Sequence, residues 1–188
     1  TGYFNVVLQN YCNNLGFGIN IEYVNNPKYH ESNYIYSIYC AKDYLHDDIV
    51  MMHGDLVFTL NILKRIIQSE KSVITVSSTL PLPKKDFKSV ITGEKIEKVG
   101  INFFDSAVAA QPLYKINKED WEIWLTNIIN YCEINNVKCY AENAFNDVSD
   151  KCKIYPLDVK DELCAEIDNP EDLEKISNQL KAYKKRGI

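Results

Sequence analysis

The sequence predicts an α/β fold, a mixed and mostly parallel sheet flanked by helices. Three observations predict it. Residues 1–77 alternate between helical and strand periodicity, helix first, the pattern of parallel strands joined by helical crossovers. The run 49–52 (IVMM) is short and wholly apolar, as strands covered on both faces are, and 72–77 (SVITVS) reads as another buried strand. The chain has 188 residues, 46% hydrophobic and 25% charged, enough for one core, and no linker or repeat divides it.

The elements follow in order. Residues 3–15 carry apolar positions at helical spacing, and Gly16 is placed to close that helix. Residues 19–24 (INIEYV) alternate like a strand until Asn25, Asn26 and Pro27 break it. Residues 34–45 read as a helix, with Ser32 or Asn33 as its cap. The strand 49–52 ends in His53, Gly54 and Asp55; a helix over 59–69 leads to the strand 72–77. In the second half, 87–91, 95–105 and 107–114 read as strands or hairpins, and 117–134 as an amphipathic helix holding Trp121 and Trp124. Residues 137–141 and 153–158 read as strands. A last helix over 170–184 opens with Pro170, Glu171 and Asp172, which suit a first turn.

Composition excludes several roles. A net charge of -5 and a pI near 5.3 argue against nucleic acid as the partner. Lys181, Lys184, Lys185 and Arg186 read as a solvated helix end, which cations favour. Six cysteines occur without CxxC pairs or a nearby His, so they read as reduced core thiols of a cytoplasmic protein. No apolar run reaches membrane-spanning length, and no signal peptide is evident.

Ligands of open α/β sheets bind beyond the carboxyl ends of the strands. Asp55 follows such a strand behind Gly54, where a carboxylate either binds Mg²⁺ or ends a turn. Asp168 closes the run 163–168 (LCAEID); there Asp168 or Asn169 caps the next helix, or Asp168 is a second metal ligand. Glu142 and Asn143 end the apolar stretch 137–141, as a cap or as a ligand contact. Phe87, Tyr114, Trp121 and Tyr140 fall near strand ends. Such rings either pack or, with a carboxylate, cage a quaternary ammonium.

These segments together resemble the nucleotidyltransferases that make activated sugars and alcohols, above all bacterial CTP:phosphocholine and aminoethylphosphonate cytidylyltransferases. The resemblance is carried by TGY (1–3), NPKYHESNYIYSIYCA (26–41), VMMHGDLVF (50–58), AENAFND (141–147) and AEIDNPEDLEKI (165–176), in the family's order. It implies a Rossmann-like fold of the nucleotide-diphospho-sugar transferase type. Residues 1–77 would be the remainder of the nucleotide-binding half and 78–188 the acceptor-binding half. It implies Asp55 and Asp168 as catalytic Mg²⁺ ligands, with Asn33 and Ser37 at the base or ribose. Phe87, Tyr140, Glu142 and Asn143 would lie at the acceptor. The substrates implied are a nucleoside triphosphate, CTP favoured, and a phosphate or phosphonate monoester.

The family's glycine-rich L-x-A-G-x-G-x-R segment, whose N–H groups cradle phosphates, is not in this sequence. About fifty to sixty residues, roughly two βα units, would supply it. The chain is therefore expected to be an N-terminally shortened form with little transfer activity by itself, and a dimer or swapped element would cover the exposed sheet edge. The competing class is a non-catalytic binding module that uses Trp121 and Trp124 at an interface. A dinucleotide-dependent oxidoreductase is disfavoured, because no G-x-G-x-x-G follows the first strand.

Overall fold

The computed structural model describes residues 1–16 and 18–186, without the side chains of 184–186. The solvated helix end assigned to Lys184, Lys185 and Arg186 therefore lies outside the described residues, while Lys181 is exposed. Six helices and eight strands follow in order: α1 (Asn5–Asn14), α2 (Tyr34–Ala41) with a 3₁₀ turn (Lys42–Tyr44), β1 (Ile49–Met52), β2 (Leu56–Phe58), α3 (Leu60–Ile67), β3 (Ser72–Ser77), β4 (Lys88–Thr92), β5 (Lys95–Gly100), β6 (Ala107–Ile116), α4 (Lys118–Glu133), α5 (Ala141–Asn146), β7 (Ile154–Asp158), β8 (Cys164–Glu166) and α6 (Pro170–Arg186).

The mixed sheet flanked by helices is the predicted architecture, but its pairing is not mostly parallel. The order is β5-β4-β6-β3-β7, with β1 also on β6. Among the described residues only β3 and β7 are parallel neighbours. β1, β3, β4 and β7 run one way, yet β6 inserts antiparallel between β1 and β3. Helix–strand alternation fixes strand direction, not adjacency. A ten-residue strand from the second half can still enter between two strands of the first. β2 and β8 form a separate antiparallel ribbon.

Two segments depart from their predicted state. Residues 19–24 form no strand; no ladder partner exists for them among the described residues. The chain there is fastened instead to Thr1, whose backbone nitrogen donates to the Val24 carbonyl and whose carbonyl accepts the Asn26 N–H. Residues 137–140 are a loop, and Ala141 begins α5. Asn143 starts that helix, its Oδ1 accepting the Tyr140 N–H at 3.0 Å. The predicted cap of α1 holds, because Gly16 takes φ +60, a conformation open to glycine at little cost.

The core lies on both faces of the sheet. Ile74, Tyr114, Trp121, Trp124, Ile128 and Phe145 belong to one large buried cluster, under α2, α4 and α5. Ile62, Ile66, Leu113, Val159 and Cys164 form a smaller one under α3. Leu113 and Tyr114, adjacent on β6, serve opposite faces, as strand alternation requires. Trp121 and Trp124 are both 0% exposed. They are core residues, which removes the interface aromatics of the binding-module reading. Among the described residues no helix is long and apolar enough to cross a membrane.

Thr59 caps α3. Its hydroxyl accepts the Ile62 N–H at 3.3 Å and donates to Glu162. Thr59→Ala is expected to cost about 1 kcal/mol, read as a lower urea midpoint at unchanged slope. An unchanged midpoint would mean that the cap contributes nothing.

Candidate active site

The site forms where β1 ends beside the β2–β8 ribbon. Past Met52 the ladder with β6 runs one residue further, the His53 N–H donating to the Pro112 carbonyl at 3.2 Å. Gly54 then turns the chain, and Asp55 opens the ribbon. The Asp55 carbonyl accepts the Ile167 N–H at 3.0 Å, and Leu56 faces Glu166 across the pair. Two segments more than a hundred residues apart in sequence thus meet at Asp55, with Glu166 and Asp168 on the partner strand and just beyond its end.

Asp55 and Asp168 are both exposed. The cap of α6 belongs to Asn169, whose Oδ1 accepts the N–H groups of Glu171 (2.9 Å) and Asp172 (3.0 Å). Asp168 is thereby released from capping. Lost hydration, then the charges of Glu166, Asp55 and Asp172, push its carboxyl above the ordinary value. Asp86 is raised likewise, by burial first and then by Glu166 and Asp168. Carboxylates that raise one another attract a cation.

His53 and Glu166 stand at this end of the candidate site, and the sequence reading names neither as a candidate. His53 Nδ1 lies 2.8 Å from Glu166 Oε1. Burial works against the imidazolium, but the hydrogen bond and charge of Glu166, with Glu142 and Asp55, outweigh it and hold His53 above its usual value. A ring nitrogen of His53 and one oxygen each of Asp55 and Glu166 lie within 4.8 Å of one another. The signal for His53 was its position at a strand end; Glu166 carried none apart from its strand partner.

Behind them lies an aromatic box whose rings pack against one another, Phe87 being buried in the core. Phe87 and Tyr140 meet edge to face at 5.1 Å, and Tyr34 stands 6.1 Å from Tyr140 and 4.8 Å from the His53 ring. Glu142, 1% exposed, sits at the back of the box and accepts hydrogen bonds from the hydroxyls of Tyr34 and Tyr114. Burial pushes the Glu142 carboxyl up against the lowering effect of those hydroxyls. Trp124 fixes this helix start by donating its indole N–H to the Ala141 carbonyl at 2.9 Å.

The structure therefore brings Phe87, Tyr140 and Glu142 together, and Asp55 with the strand end that carries Asp168. Asn143 is engaged in the capping box of α5, accepting the N–H of the cap residue Tyr140. Asn33 caps α2 through the Tyr34 N–H at 2.7 Å. Ser37 receives a hydrogen bond from the buried Asn26 amide at 3.0 Å. Ser37, Tyr34, His53 and Asp55 line one cavity of about 720 Å³ that runs along β1. Asp86, Glu166 and Asp168 line a neighbouring one of about 450 Å³.

A family model described as Domain of unknown function (DUF6564) matches residues 1–118. No curated protein matches the sequence. Solved structures share the fold. The CTP:phosphocholine cytidylyltransferase from Streptococcus pneumoniae covers 92% of this chain and is covered over 75% of its own, at TM-score 0.70 and 18% identity. The inositol-1-phosphate CTP transferase from T. maritima gives 98%, 74%, 0.71 and 20%. An apo UDP-glucose pyrophosphorylase gives 89%, 64%, 0.61 and 10%. At these identities the likeness is one of fold alone.

Proposed function

We propose that this chain, which belongs to the family described as Domain of unknown function (DUF6564), forms the body of a nucleotidyltransferase, with CTP as the favoured nucleotide. An oxygen of a phosphate or phosphonate monoester attacks the α-phosphorus. The bond from that phosphorus to the β-phosphate bridging oxygen breaks, and pyrophosphate leaves. The observation that carries the reading is the meeting of Asp55 with the Glu166–Asp168 strand end, directly in front of an aromatic box backed by a buried carboxylate.

Asp55 and Asp168 are the residues that would hold Mg²⁺. Mg²⁺ takes carboxylate oxygens; one oxygen of Asp55 lies within 4.8 Å of one of Glu166, and Asp168 follows two residues beyond Glu166. When bound, the ion supplies charge screening between the nucleophile and the triphosphate. Ser37 reaches the nucleotide from the wall of the larger cavity, and Asn33 orients α2 at the same end. Tyr34, which lines the larger cavity, and behind it Tyr140 and the buried Phe87 are the rings proposed for a cationic head group, with Glu142 supplying the opposing charge. Asn143 holds the start of α5, and with it Glu142, in place.

The test is pyrophosphate release by the gene product that contains these residues, with Mg²⁺. Four nucleoside triphosphates would be crossed with phosphocholine, aminoethylphosphonate and sugar phosphates. The expected result is turnover with CTP and a cationic acceptor, in the range of about 1–10³ s⁻¹ usual for enzymes. Turnover only with sugar phosphates would exclude the cation-box role; no turnover with any pair would exclude the transfer reaction for these acceptors.

A further inference from the structure

His53 introduces a nitrogen donor where carboxylates alone would serve Mg²⁺. We infer that a divalent cation at this strand end is bound through the His53 imidazole together with Asp55 and Glu166, and that the site selects a first-row transition ion of the Mn²⁺–Co²⁺–Zn²⁺ class over Mg²⁺. The inference rests on the reading that Asp55 holds a cation, and it deepens that reading.

Geometry is the first support. Donor atoms about 2.1 Å from one ion lie roughly 3–4.2 Å apart. The three donors here fall within 4.8 Å of one another, and the His53–Glu166 pair is already at 2.8 Å. Small side-chain rotations bring the set to bonding distance. The imidazole cannot drift away, because it sits edge-on to Tyr34 at 4.8 Å and to Phe87 at 6.0 Å, on a backbone tied to Pro112.

The second support is the side of the ring that faces the carboxylates. Nδ1 lies against Glu166, so an ion shared by these two groups would take the place of the proton between them, with Asp55 as the third ligand. Imidazole suits borderline transition ions, whereas Mg²⁺ demands oxygen and sheds its waters reluctantly.

The experiment is metal binding by the purified protein without nucleotide. Calorimetric titrations with Mg²⁺, Mn²⁺ and Co²⁺ would be paired with pulsed electron paramagnetic resonance of the Mn²⁺ form. The expected result is ¹⁴N coupling to Mn²⁺, and Mn²⁺ and Co²⁺ binding at least about tenfold tighter than Mg²⁺. His53→Gln is expected to lose the ¹⁴N signal and to weaken Mn²⁺ and Co²⁺ by about 10–100-fold, with Mg²⁺ little changed. Should that variant misfold, the ¹⁴N coupling of the unaltered protein still decides. Absence of coupling with equal affinity for Mg²⁺ and Mn²⁺ overturns the inference but leaves Asp55 as a cation ligand. Binding untouched by Asp55→Asn, or no binding of any ion, overturns both.

Discussion

Asp55→Asn is expected to lower pyrophosphate release by about 10³-fold while moving Tm by no more than about 2 °C. The two halves have separate causes. Asp55 is exposed, and among the described residues its carboxylate makes no hydrogen bond or ion pair. Surface substitutions of this kind change stability by about 0.5 kcal/mol at most, roughly 1–2 °C for a domain of this size. Its negative charge also raises Asp168, so removing it relieves repulsion in the folded state. Catalysis depends on the same charge in the opposite sense. Loss of a carboxylate that holds a catalytic cation forfeits several kcal/mol of transition-state stabilisation, and about 4 kcal/mol corresponds to 10³ in rate. Steady-state pyrophosphate release and a thermal melt on the same preparation check it. Equal loss of activity and stability would make Asp55 a structural turn residue. Full activity would remove it from the reaction.

The legibility of this site followed from what each residue depends on. Asp55 could be read because a local rule applies: an apolar strand, a glycine, then a carboxylate. Phe87, Tyr140 and Glu142 could be named as a group only through the resemblance. Their meeting depends on β6 carrying Tyr114 between β1 and β3, and periodicity holds no record of that insertion. The segment 137–141 was misread for a related reason. Its apolar residues suit a strand, but the Asn143 side chain closes a helix start on Tyr140, and a capping interaction across three residues outweighs a five-residue apolar pattern. His53 and Glu166 depended on strand pairing between distant segments, so each looked ordinary alone. The strand directions of the first half were legible, while the neighbours were not, because the pairing partner came from the second half.

Glu142→Ala is expected to cost about 3–5 kcal/mol and to lower Tm on the order of 10 °C. The side chain is buried and accepts from two phenols, Tyr34 and Tyr114. Truncation leaves both hydroxyls without their acceptor, at about 1–3 kcal/mol each, and opens a cavity beside Tyr34 and Tyr114. Glu142→Gln separates charge from shape, and pH reveals the difference. Burial raises the folded-state pKa of Glu142 above the 4.5 of the free side chain. The folded protein then holds the proton more tightly than the unfolded chain. Its contribution is fully present below pH 4.5 and is lost as pH rises through the folded pKa. The glutamine cannot titrate. The Tm of Glu142→Gln minus that of the unaltered protein should therefore shift in favour of glutamine between pH 5 and pH 8. A constant difference would mean that the carboxyl titrates alike in both states, and the opposite trend that its ionised form is favoured by folding. The cationic acceptor proposed above would offset that cost. Accordingly a cationic acceptor should raise Tm more at pH 8 than at pH 5, and the glutamine variant should lose that pH dependence.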